Sequence, residues 1–103
     1  MVLCACPDAE VADLLAQAAV VADAAACATR LEGATSVFRW QGEVQSATEC
    51  LLLIKTRSAC FEELAALIRA RHPYEVPEII ALPITMADPA YLRWIDVETR
   101  LEE

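Results

Sequence analysis

Two strand-like runs of about fourteen residues flank a two-residue turn, and this arrangement limits the possible folds more than any other feature. CATRLEGATSVFRW, Cys27 to Trp40, is rich in Thr, Val, Phe and Trp. EVQSATECLLLIKT, Glu43 to Thr56, alternates, with Val44, Ser46, Thr48, Cys50, Leu52 and Ile54 on one side. Gln41-Gly42 between them reads as a hairpin turn. At ~3.3 Å per residue each arm reaches ~45 Å. A chain of about 100 residues has a radius of gyration of only ~13 Å. The hairpin must therefore bend, near Gly33, or project beyond its own subunit. Its far end carries Phe38, Trp40 and Val44. An extended apolar edge of that kind invites pairing, so further copies of the chain are the expected partner.

The remaining elements fit around this hairpin. Val2 to Cys6 is a short apolar run suited to a buried strand, ended by Pro7-Asp8. Asp8 can cap a helix whose stripe runs through Val11, Leu14, Leu15, Ala18, Ala22 and Ala25. After the hairpin, Ser58 is the next capping residue, and Phe61, Leu64, Ala65 and Ile68 form a second stripe. Glu62 and Glu63 lie in its first turn and Arg69 and Arg71 in its last, as the helix dipole favours. Pro73 forces His72 out of helical geometry. Val76 to Leu82 reads as a strand, with Pro77 at its start or on an edge. Asp88-Pro89 opens a final helix carrying Tyr91, Leu92, Ile95 and Thr99. The order β-α-β-β-α-β plus a helix predicts an α+β, ferredoxin-like sandwich occupying all 103 residues as one domain.

A hydrophobic fraction of 57% is high for a lone domain of this size and points to surface buried between subunits. The net charge of -8 opposes binding to phosphate backbones, so nucleic acid is not expected as a partner. Asp13, Gln17 and Asp23 interrupt the most apolar stretch, and membrane insertion is not expected either. MVLCAC lacks a basic leader and already reads as a strand, which makes the cytoplasm the expected compartment. Five cysteines there read as thiols, with Cys27, Cys50 and Cys60 as packing residues.

VLCACPD, ACATRLEGATSVFRWQGEV, LLLIKT, RHPYEVPEIIALPI and YLRWI together resemble the CutA family of divalent-cation tolerance proteins, over nearly the whole chain. The resemblance implies a ferredoxin-like subunit in a tight homotrimer, similar to the PII signalling proteins, with long strands crossing between subunits. It implies a connection with copper and other divalent metals, and no enzymatic reaction. It also implies that Cys4 is the family's strand-one cysteine. Two departures stand out. ADAAAC, Ala22 to Cys27, replaces a more charged helix end. Some relatives carry two histidines before PY, whereas this chain has Arg71 and then His72.

Cys4 and Cys6 lie two apart on a strand, so their side chains share a face. Two thiolates suit a soft ion such as Cu(I). Packing also explains the pair: Cys4 as a core residue, Cys6 as a cysteine near the strand end. His72 is a metal ligand by type, or a histidine satisfying the last helix carbonyls. Cys4 and His72 are the expected metal ligands, for copper or another divalent ion. Pro73 and Pro77 stiffen the segment carrying Tyr74, Glu75 and Glu78. Glu78 pairs with Lys55 of another subunit, or both line an intersubunit pocket walled by Trp40, Tyr74 and Trp94. Trp40, Lys55, Tyr74, Glu78 and Trp94 are thus the expected ligand-binding residues. With glycine only at Gly33 and Gly42, no phosphate-cradling loop exists, and no nucleophile-base pairing is evident. The chain is read as a non-enzymatic trimeric metal-binding protein. The alternative is a PII-like regulator or scaffold that takes a small ligand or a protein in its clefts.

Overall fold

The computed structural model describes residues 1–100, so the last three positions of the expected domain lie outside it. Eight short elements follow in order: β1 (Val2–Cys6), α1 (Ala9–Val21), β2 (Cys27–Trp40), β3 (Glu43–Lys55), a 3-10 turn (Ser58–Cys60), α2 (Phe61–Arg71), β4 (Ile80–Ala81) and α3 (Pro89–Glu98). The strands form one antiparallel sheet in the order β2-β3-β1-β4. This is the strand arrangement of the split βαβ pattern.

Strand β1 alternates as a half-buried strand must. Val2, Cys4 and Cys6 point into the core, and Leu3 and Ala5 are half-buried. Opposite β1, Cys50, Leu52 and Ile54 of β3 point the same way. Ala12, Leu15 and Ala19 of α1 and Leu64 and Ile68 of α2 close this layer.

Asp8 caps α1 by accepting from the Val11 N–H at 2.9 Å. The helix ends in a Schellman arrangement. Asp23 takes φ +59, its N–H bonds the Val20 carbonyl, and the Ala24 N–H reaches Ala19 at 2.9 Å. Here the structure corrects the expected stripe. Leu14 is 62% exposed, and Ala22 and Ala25 lie beyond the helix. Alanine occupies so many positions that several rotations of this helix are almost equally apolar. The one adopted seats small residues on the sheet.

The hairpin has the expected turn, and an irregularity falls at Gly33. Trp40 pairs with Glu43, and Gln41 and Gly42 both take positive φ, 51 and 84, as a type I′ turn requires. Leu31 pairs with Leu51 but Ala34 with Glu49, which leaves one extra residue on β2. Gly33, at φ +78, makes this bulge possible. Beyond it the hairpin leaves the helical layer, and the molecule measures 50 × 27 × 22 Å.

Three further expectations are corrected. Ser58 begins a 3-10 turn, and α2 starts at Phe61 with no side-chain cap. On α3, Ile95 is buried, but Tyr91 and Leu92 remain exposed in the subunit. The last strand covers Ile80–Ala81, not Val76 to Leu82. The backbone of Met1 exchanges two hydrogen bonds with Leu82, and Leu3 pairs with Ile80. Continued in register, this ladder would set Glu78 opposite Ala5. The chain instead leaves the edge, and a side chain from α2's end takes that place.

Candidate metal centre

The substituting side chain is His72. As Pro73 demands, His72 has an extended backbone (φ -76, ψ 137), while its N–H still closes the last turn of α2 on Ile68 at 2.8 Å. Its Nε2 lies 2.8 Å from the Ala5 carbonyl oxygen, the group a longer β4 would have paired. Its Nδ1 accepts from the Tyr74 N–H at 3.1 Å. Since Nδ1 accepts, Nε2 carries the proton and donates to Ala5. The Tyr74 ring lies against the imidazole, with centroids 4.7 Å apart. The Tyr74 hydroxyl donates to Glu49 of β3 at 2.6 Å.

Cys4 and Cys6 project from the same strand on either side of Ala5, both fully buried. Ligand atoms of Cys4, Cys6 and His72 lie within 4.8 Å of one another, a grouping that arises once among the described residues. The Cys4 thiol is pushed well above its ordinary range, first by hydrogen bonding with the Cys6 sulfur and then by burial. Cys4 therefore holds its proton at neutral pH, and a metal must displace it. Burial, followed by the bond to Glu49, likewise raises the Tyr74 hydroxyl.

Two sulfurs and an imidazole suit a soft or borderline metal ion. Both imidazole nitrogens are already engaged, however, and among the described residues no buried side-chain nitrogen or oxygen lacks a partner. Ligation by His72 must therefore release either Ala5 or the Tyr74 N–H. Arg71 turns away and bonds the Leu67 carbonyl of its own helix at 3.4 Å.

The structure thus brings the two expected metal ligands together and adds Cys6. It does not gather the five expected ligand-binding residues within one subunit. Tyr74 sits beside His72, but Glu78 is exposed in the irregular run before β4. Lys55 donates to Thr29 Oγ1 at 2.7 Å, and Glu78 forms no ion pair with it among the described residues. Trp94 packs on Tyr91 at 5.5 Å, and Tyr91 meets Cys27 at the base of β2. Trp40 ends that same strand, about 43 Å away at ~3.3 Å per residue. A cleft of about 440 Å³ between Met1, Arg57, Phe61, Leu82 and Leu92 contains none of these seven residues. Glu49 was not among the expected residues. Its one sequence signal is a lone acid at the start of an apolar strand run.

The comparisons agree with the resemblance. The family described as CutA1 divalent ion tolerance protein matches residues 1–98. The divalent-cation tolerance protein CutA of Thermus thermophilus is 46% identical over 99 residues, 96% of each chain. The chloroplastic Protein CutA of Arabidopsis thaliana is 45% identical over 91% of this chain, which spans only 52% of that protein's length. The chain likewise spans 51% of the mouse Protein CutA. The solved Thermus thermophilus structure superposes with a TM-score of 0.89 at 47% identity, over 91% of each chain. The periplasmic divalent cation tolerance protein CutA of Archaeoglobus fulgidus gives 0.93 at 32% identity, over 96% of each. No described helix is long and apolar enough to cross a membrane. From its sequence and its fold alike, the chain belongs to the CutA1 divalent ion tolerance family.

Proposed function

We propose that the chain is a homotrimeric metal-binding protein of divalent-cation tolerance, acting in the cytoplasm without an enzymatic reaction. Copper or another divalent ion is its cargo, and Cys4 and His72 are the ligands. The observation supporting this reading is the convergence of buried Cys4, Cys6 and His72 donor atoms within 4.8 Å. The assembly is supported by the hairpin, which carries Val37, Phe38, Trp40 and Val44 exposed beyond the helical layer. Isothermal titration with Zn(II) and with copper, supplied anaerobically as Cu(I), tests the site. The Cys4→Ser/His72→Gln double variant is expected to lose binding, and unchanged affinity would contradict the reading.

A second reading is favoured by the fully bonded state of His72. In it the trimer is a PII-like regulator or scaffold, and its intersubunit clefts take a small ligand or a protein. Trp40 and Trp94, far apart within one subunit, would then meet only across subunits. A thermal-shift screen of metabolites on metal-free protein tests this reading. A shift abolished by Trp40→Ala supports it. No shift would leave only a protein partner.

A further inference from the structure

We infer that Cys6 completes a three-coordinate centre with Cys4 and His72, and that this centre takes copper, as Cu(I), in preference to Zn(II). The inference rests on the metal-binding reading above and concerns what that site accepts.

The chain places a second thiol where the sheet needs no particular side chain. A core-facing residue at the end of β1 could be any small apolar type. Cys6 instead lies across Ala5 from Cys4, with the His72 ring bonded to the Ala5 carbonyl between them. Donors about 2.3 Å from an ion in a trigonal plane sit about 4 Å apart. The present grouping, within 4.8 Å, needs to contract by under about 1 Å to reach that spacing. Arg71 offers no ligand, since its guanidinium bonds the Leu67 carbonyl of its own helix. Cys6 is thus the residue available to take the third place.

Coordination number decides the preference. Zinc in a closed site takes four tetrahedral ligands. Among the described residues no fourth cysteine, histidine or carboxylate joins the group. Glu49 is engaged by Tyr74, and Cys50, although opposite Cys6 on β3, lies outside the group. Cys4 and Cys6 are both fully buried, away from bulk solvent. Charge alone favours a dication, which two thiolates would neutralise. A monovalent soft ion, however, is content with two sulfurs and one nitrogen. On binding, one Cu(I) enters and two thiol protons leave to solvent. No electron moves, so copper must arrive already as Cu(I).

The test uses the full reduced chain under anaerobic conditions. Cu(I) is supplied against a chromophoric Cu(I) chelator, and Zn(II) against a zinc chelator. Wild type, Cys6→Ser, Cys4→Ser and His72→Gln are compared, with far-UV circular dichroism confirming the fold. Cys6→Val is the second variant should the serine unfold the protein. The expected result is one Cu(I) per chain and at least a hundred-fold loss of Cu(I) affinity in Cys6→Ser. Because Cu(I) is diamagnetic, nitrogen NMR of His72 should also show one ring nitrogen moving on binding. Cu(I) binding lost in Cys4→Ser and His72→Gln but kept in Cys6→Ser would overturn the role of Cys6 and leave the metal-binding reading standing. Tighter Zn(II) than Cu(I) binding, judged against the free ions, would overturn the selectivity alone. Binding of neither ion would overturn both.

Discussion

The two halves of the long hairpin share one pair of strands and differ in almost everything else. Below the Gly33 bulge, Leu52 and Ile54 are fully buried beneath the helices, and every second residue of β3 faces the core. Above it, Val37 is 71% exposed and Val44 64%, and apolar side chains occupy both arms with nothing from the same subunit over them. The base is thus held by packing within the chain. The tip has only its own ladder and a type I′ turn, and a lone two-stranded ribbon is marginal in water. One sequence has produced a finished surface at one end and an unfinished one at the other. The proposed trimer is the natural way to finish it.

Truncation at the two ends should separate these roles most sharply. Leu52→Ala should cost about 2–5 kcal/mol of stability in urea denaturation, as buried leucines do when a cavity is left, with the oligomer retained at low denaturant. Trp40→Ala should instead shift the assembly toward monomer in sedimentation. Equal effects of both variants on both readouts would erase the distinction between the halves.

Tyr74→Phe comes next. It removes the donor to Glu49, which is buried, and leaving such an acceptor unpaired costs about 1–3 kcal/mol. The Tyr74 hydroxyl is raised above its ordinary value of 10, first by burial and then by this bond. The folded state therefore holds the proton more tightly than the unfolded chain. Its contribution is present in full below pH 10 and is lost as pH rises beyond it. The stability gap between wild type and Tyr74→Phe should accordingly narrow in urea titrations carried above pH 10.

Gly42→Ala is the smallest of these effects. A methyl group there meets nothing within 4 Å, so the cost is backbone strain at φ +84 alone. That strain amounts to about 1–2 kcal/mol, read as a lower Tm. A loss much larger than this would mean that the turn is packed against something the subunit does not contain.

Much of the architecture was legible because its signals are local. The turn is written in Gln41-Gly42, the bulge in Gly33, and the end of α2 in Pro73, each through the backbone angles it permits. The phase of α1 was not legible, since a run of alanines offers little contrast between faces, and Leu14 was wrongly placed inside. The overrun of β4 has a different cause. Its apolar composition is real, but the strand ends where His72 takes the Ala5 carbonyl, a substitution across the fold that no local pattern records. The candidate metal site was legible in parts. Spacing put Cys4 and Cys6 on one face, and the family resemblance singled out Cys4 and His72. Their convergence depends on α2 ending where it does. Glu49 was missed because its partner, Tyr74, is 25 residues away.

Native mass spectrometry of the purified chain, with one equivalent of copper per subunit under reducing conditions, reads assembly and metal content together. A trimer carrying three copper ions is expected, and a metal-free trimer for Cys4→Ser/His72→Gln. A wild-type trimer that stays metal-free would contradict the proposed site, and a monomer would contradict the reading of the hairpin itself.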